Sequence, residues 1–463
     1  MTRVIQLLGS KKFNYLELSE QIALKTGGLS VSTHLDESPF HIEDYEEGIV
    51  LSSYCLDRKI NDMFDLWEDV LLHFNKQLNQ YDRLKTLIKG QASAYANSVH
   101  ESGHTFAVIH SASHYGPVDQ MSESLYGLTQ VNRLQEIARQ ENFDDIMKKL
   151  SQIADHVLTK SSLRHYGPVD QMSESLYGLT QVNRLQEIAR QENFDDIMKK
   201  LSQIADHVLT KSSLRCAFNG ESNGLDTGMK RLETFLDRLP GSSTTKLQKI
   251  RHENAELSLK NDFKTGKTKL PSKTHFEMPF DVFYAGQCYD SVPYSHDDYP
   301  RLSVLTKLMF NKFLLREIRE IGGAYGGGAY LRGNLFSFFS YRDPHSIETL
   351  ERFGQCIDYF ANGKFNDKDV DEAKLGTFQK LDKPKSPGNQ GMTQFLHGIT
   401  DDMRQKNRDR IFACGKQDLI DVTQRYLVNK PYAATILGPD NPKFVTDGQF
   451  RQVKNVQMPS IGE

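Results

Sequence analysis

Two stretches of this 463-residue chain carry residue types at spacings that could do chemistry. The first, His100-Glu101-Ser102-Gly103-His104, is a literal H-E-x-x-H. On one unbroken helix that spacing puts both imidazoles on one face, able to hold zinc, with the glutamate as general base. His110 falls where the extended motif has its third ligand, although Ala107 replaces the usual glycine. The neighbouring residues favour a different reading. Gly103 and the β-patterned run Thr105-Phe106-Ala107-Val108-Ile109 predict a helix over about Asp82–His100 and a strand over His104–His110. That assignment puts His100 and His104 on different elements, as ordinary packing or surface histidines.

The second stretch runs from Leu315 to Ala329, LREIREIGGAYGGGA. An apolar-periodic helix ends in charged residues and enters five glycines around Tyr325. A helix stop and a hairpin account for one or two glycines, but poorly for this density. Glycine permits positive φ and lets another chain approach closely. The run fits neither the dinucleotide fingerprint nor the Walker A pattern. Gly266-Lys267-Thr268 resembles the end of a phosphate-binding loop, but Asn261 stands where its first glycine belongs, so a basic linker is expected there.

The elements that must position these residues alternate between helix and strand in both halves of the chain, which predicts two similar α/β domains. In the C-terminal half the pattern predicts strands over Phe280–Gly286, Leu335–Asp343 and Ala433–Gly438. It predicts helices over about Tyr299–Arg319, Ser346–Asn362, Asp367–Lys380 and Met403–Leu427. The acidic run Glu43–Glu47 reads as a solvated loop.

An exact tandem repeat interrupts the N-terminal half. Residues 114–164 and 165–215 are identical, 51 residues each. Natural structural repeats drift apart and usually number three or more. Two perfect copies point instead to a recent duplication or to an exon counted twice. In the first copy Leu125, Leu128, Val131, Leu134 and Ile137 recur at helical spacing. Asn142 then caps a second helix with an apolar stripe from Phe143 to Leu158. With one copy removed, a strand over His104–His110 and a strand over Leu214–Phe218 would flank a single helix pair.

Composition excludes some functions. There are 57 Lys and Arg against 60 Asp and Glu, a net charge of -3, which offers no electrostatic footprint for nucleic acid or an anionic membrane. No apolar stretch is long enough to span a bilayer. The five cysteines are scattered and form no C-x-x-C pair, so reduced thiols are expected rather than a disulfide framework or a cysteine zinc site. The first residues resemble neither a signal nor a transit peptide, and read as a strand entered partway.

The stretch REIREIGGAYGGGAYLRGNLFSFFSYRDP resembles the signature of the presequence proteases, organellar members of the pitrilysin superfamily of inverzincin-type zinc metallopeptidases. VIQLLGSKKFNYLELSEQIALKTGGLSVS, SAYANSVHESGHTFA and ATILGPDNPK are similar to other segments of that family, so the resemblance spans nearly the whole chain. It implies an α+β fold with two pitrilysin-like domains, each a mostly antiparallel sheet packed by helices. These would be the third domain (1–245, including the duplication), a basic linker (246–274) and the fourth domain (275–463). It further implies the C-terminal half of an enzyme that cuts presequences and other short unfolded peptides in the mitochondrial matrix. Zinc would be held by the N-terminal half through H-x-x-E-H.

That motif is absent from this sequence, so the chain alone is expected to be inactive and to need its N-terminal half as partner. By motif position, Arg319 and Tyr325 would be the residues that reach the substrate, with Gly322, Gly323 and Gly326 beside it. The alternatives are a self-sufficient zincin using His100, Glu101 and His104, and a non-catalytic structural or binding relative.

Overall fold

The computed structural model describes residues 9–10, 12–41, 44–72, 81–139, 214–238, 250–251 and 273–453. Helix α1 (Tyr15–Lys25) is started by Asn14, which forms a capping box with Glu17. Strands β1 (Leu29–Glu37) and β2 (Asp44–Ser53) form an antiparallel hairpin, and β3 (Ile250–Arg251) pairs with β2. The acidic run expected as a loop therefore enters strand β2, where Tyr45 is buried. Helix α2 (Ile60–Leu72) covers this unit with Phe64, Trp67 and Val70, and α6 (Ser222–Asp237) packs beside it through Phe235.

Helix α3 (Tyr81–Ala112) overturns the strand expected over His104–His110. Its backbone departs from helical geometry at Ser102 (φ -134°, ψ 32°) and then continues as helix through the whole HTFAVIH run. Continuous burial explains the misreading, because Phe106, Ala107, Val108 and Ile109 are all buried. The helix lies between the C-terminal sheet on one side and α4 (Pro117–Tyr126) and α5 (Leu128–Arg139) on the other. A short apolar run buried on several sides cannot be told from a strand by periodicity alone. Two further expectations change. Gly127, with extended backbone, splits the first copy's leading helix into α4 and α5. Residues 214–218 form no strand. The second helix of the first copy, and the second copy up to residue 213, lie outside the described residues.

The C-terminal sheet has six strands in the order β6-β7-β5-β8-β4-β9: β4 (Lys273–Glu277), β5 (Phe283–Asp290), β6 (Gly326–Arg332), β7 (Leu335–Asp343), β8 (Tyr432–Gly438) and β9 (Phe450–Val453). β6, β7, β5 and β8 pair antiparallel, while β4 runs parallel to both β8 and β9. Alternation along the strands sorts side chains to two covered faces. Phe283, Ala285, Phe336, Phe338, Ala434 and Ile436 meet the helical layer. That layer comprises α7 (Tyr299–Met309), α8 (Ile347–Ala361), α9 (Asp367–Leu381), α11 (Asp401–Ala413) and α12 (Lys416–Tyr426), while the short α10 (Met392–His397) packs against β1 instead. Tyr284, Cys288, Phe339 and Leu437 meet the other side, where α3 packs.

Two glycines bring α3 this close. A Cβ on Gly286 of β5 would stand 2.5 Å from the Val108 nitrogen, and one on Gly103 would stand 2.5 Å from the Tyr284 ring. Ser111 of α3 donates to the carbonyl of Gly286 at 3.0 Å. Tyr115 ties the start of the repeat to the same sheet, donating to the Cys288 carbonyl at 2.6 Å and accepting from the Ala433 N–H at 3.0 Å.

All five cysteines are free; Cys288, Cys356 and Cys414 are buried and Cys216 is exposed. No described helix is long and apolar enough to cross a membrane.

Candidate functional site

Helix α7 continues without interruption into a π-helical stretch, Phe310–Ile321. Such wide turns are rare and cluster at functional sites. Leu305, Leu308, Leu314 and Ile318 are buried against the sheet and anchor it, so the following position, Arg319, faces solvent. Gly323 ends the helix in the left-handed region at φ +77°. Its N–H donates to the Arg319 carbonyl at 3.0 Å, and the Ala324 N–H donates to the Ile318 carbonyl at 3.1 Å. The chain then enters β6, the edge strand of the sheet, as the Tyr325 N–H donates to the Arg342 carbonyl at 3.2 Å.

This turn brings Arg319 and Tyr325 together. The guanidinium carbon of Arg319 lies 6.0 Å from the centre of the Tyr325 ring, within cation–π range. Tyr325 is 66% exposed. Among the described residues no carboxylate pairs with Arg319; the nearby Glu317 instead binds Arg316 at 3.0 Å and Arg352 at 3.3 Å. A guanidinium and a phenol, both reaching solvent, can donate to a developing oxyanion or to a peptide backbone.

The glycines divide by role. Gly322 is buried, and a Cβ there would meet the Ile318 carbonyl oxygen at 2.5 Å. A Cβ on Gly327 would meet Ile318 Cγ2 at 2.6 Å, so that glycine lets the helix end pack onto β6. Gly326 has nothing within 4 Å of its missing side chain and leaves room for an approaching strand.

Sequence reasoning missed Tyr341, which makes an edge-on contact with Tyr325 (centroids 5.5 Å, interplanar 81°). The signal was the alternation in β7, which puts Phe339 and Tyr341 on one face, with Tyr341 directly opposite Gly326.

The H-E-x-x-H motif does not build a metal centre. The two histidines share one kinked helix, but their rings seat against different neighbours. His100 packs on Phe280 at 5.2 Å, and His104 packs on Phe339 and Tyr341 at 5.3 and 4.9 Å. Glu101 is exposed, and His110 Nδ1 is paired with Thr435 Oγ1 at 2.9 Å. Among the described residues no three His, Cys, Asp or Glu side chains converge closely enough to hold a metal ion. The described residues do not fit zinc.

Comparison with known proteins shows which family carries this stretch. Residues 1–137 match the family profile of the region associated with subfamily C of the M16 peptidases. Residues 276–432 match "PreP C-terminal domain", which contains the whole Arg319–Tyr325 turn. The mitochondrial presequence protease of Xenopus tropicalis is 34% identical over 449 residues, covering 96% of this chain. The chain is a presequence protease homologue. The homologue spans 40% of that relative's length and corresponds to the C-terminal part.

Its fold is also that of pitrilysin (TM-score 0.50, 13% identity, 98% of this chain and 41% of that one). It is likewise similar to a peptidase M16 inactive domain from Pseudomonas fluorescens (TM-score 0.52, 12% identity, 95% of this chain and 87% of that one). The mostly antiparallel sheet with helical cover expected for the C-terminal domain is the one observed.

Proposed function

We propose that this chain serves as the substrate-facing half of a zinc metalloendopeptidase that degrades presequences and other short unfolded peptides in mitochondria. Residues 1–245 and 275–463 act as its third and fourth pitrilysin-like domains. The observation that carries this reading is the pairing of Arg319 with Tyr325, both exposed and free of carboxylates among the described residues. Each donates to the peptide carbonyl as negative charge develops on its oxygen, and Gly326 at the sheet edge leaves space for the substrate backbone. Zinc belongs to the N-terminal half, as the family resemblance implies. The likeness to mitochondrial presequence proteases supports the substrate class and the compartment.

The test is reconstitution. The purified chain is assayed on a fluorogenic presequence peptide alone, and then with the N-terminal part of the Xenopus tropicalis relative. Cleavage only in the mixture is expected. Zinc-dependent cleavage by the chain alone would replace this account with a self-sufficient enzyme. No cleavage from a stable complex of the two parts would indicate a non-catalytic binding relative.

A further inference from the structure

We propose that Tyr341 and His104 are positioning residues for Tyr325, forming a relay of rings from helix α3 to the exposed edge of the sheet. This inference rests on the reading of Tyr325 as a substrate-facing residue. Tyr325 stands on a turn of glycines that supplies no side chains to fix its ring. Tyr341 supplies the missing wall, edge-on at 5.5 Å, and being opposite Gly326 it meets no intervening side chain there. Tyr341 is in turn braced by His104, edge-on at 4.9 Å, and Phe339 also packs on the imidazole at 5.3 Å.

The helix carrying His104 is itself fixed at this height. The Tyr284 hydroxyl donates to the His100 carbonyl at 2.5 Å, and the Tyr284 ring lies against Gly103. A side chain inserted at that point accounts for the kink at Ser102. The state of His104 suits a packing role. Its Nδ1 is buried without a hydrogen-bond partner, and burial lowers its basicity, so the imidazole stays uncharged at neutral pH and acts as a ring. The second histidine of the H-E-x-x-H motif thus has a use unrelated to metal.

The test reads Tyr325 directly. With 3-fluorotyrosine incorporated at position 325, the fluorine resonance of the full chain is recorded in wild type, His104→Ala, His104→Phe, Tyr341→Ala and Tyr341→Phe. Both alanine variants are expected to shift or broaden it, although His104 does not touch Tyr325. Both phenylalanine variants, which keep a ring, are expected to hold it near its wild-type position. Melting temperatures of the alanine variants exclude global unfolding as the cause, and the phenylalanine rescue keeps the test decisive if they unfold.

In the reconstituted enzyme, Tyr341→Ala is expected to lower kcat about tenfold to a hundredfold with little change in KM, as misplacement of a catalytic group does. A resonance unmoved by His104→Ala, or moved equally by His104→Phe, overturns the relay. If Arg319→Ala and Tyr325→Phe leave turnover unchanged while the resonance behaves as described, the relay stands as geometry and the functional reading falls instead.

Discussion

Gly286 of β5 and Val108 of α3 approach so closely that a Cβ on the glycine would stand 2.5 Å from the Val108 backbone nitrogen. The helix of one half is thus seated on the sheet of the other, and the obstructing atom is backbone that cannot swing aside. Gly286→Ala is therefore expected to destabilise the chain by about 2–3 kcal/mol, the upper range for overpacking a fitted contact. Denaturant unfolding followed by circular dichroism measures this. Gly354→Ala, where nothing lies within 4 Å, serves as a control near zero or slightly stabilising.

Gly323 turns the chain between Arg319 and Tyr325 at φ +77°, with only Pro344 Cγ near its missing Cβ, at 3.5 Å. The penalty for a side chain here comes from backbone alone, about 1–2 kcal/mol. Gly323→Ala is expected to lower the melting temperature, and Gly323→Asn to lower it less, since asparagine tolerates this conformation. Equal losses would point to a steric cause instead.

Two buried groups give stability an opposed pH dependence. Burial pushes the Glu123 carboxyl up to about 7, against hydrogen bonds from Thr129, so its contribution is lost as pH rises from about 4.5 to about 7. Burial, with His114 and Arg451 nearby, pushes His110 down to about 3, so its contribution is lost as pH falls from about 6.5. Between about 4.5 and 6.5 the two oppose each other. Glu123→Gln should make the melting temperature fall more steeply on acidification, and His110→Phe should make it rise. Profiles parallel to wild type in both variants would refute these assignments.

The duplication offers a test with one variant, because deleting either copy leaves the same sequence. The residues that dock the first copy are Tyr115, Val118, Leu128 and Val131, and each recurs at the same offset in the second. Deleting one copy is expected to keep that docking and remove a surplus apolar stripe, raising the melting temperature. An unchanged or lower value would contradict the insertion account.

The C-terminal domain was largely legible in the sequence. The strand expected over Leu335–Asp343 is the one observed, and the helix expected over 367–380 lies within a residue of the observed Asp367–Leu381. Arg319 and Tyr325 were singled out by motif position in the family resemblance, and the helix end and glycine turn between them bring the two side chains together. What failed was α3. Phe106–Ile109 are buried on several sides, so their run of apolar residues carries no helical period, and the kink at Ser102 mimics an ending. Glycines 326–328 looked like a turn but form edge strand β6, because β7 supplies the pairing that their own propensity does not. The ring relay through Tyr341 and His104 joins residues more than 200 positions apart, and local spacing holds no trace of it.

The role of Arg319 is read from the effect of Arg319→Ala on kcat in the reconstituted enzyme, with folding confirmed by an unchanged melting temperature. If Arg319 donates to the transition state, kcat falls about 10²–10³-fold. A kcat within twofold of wild type would show that the Arg319–Tyr325 pair takes no part in catalysis.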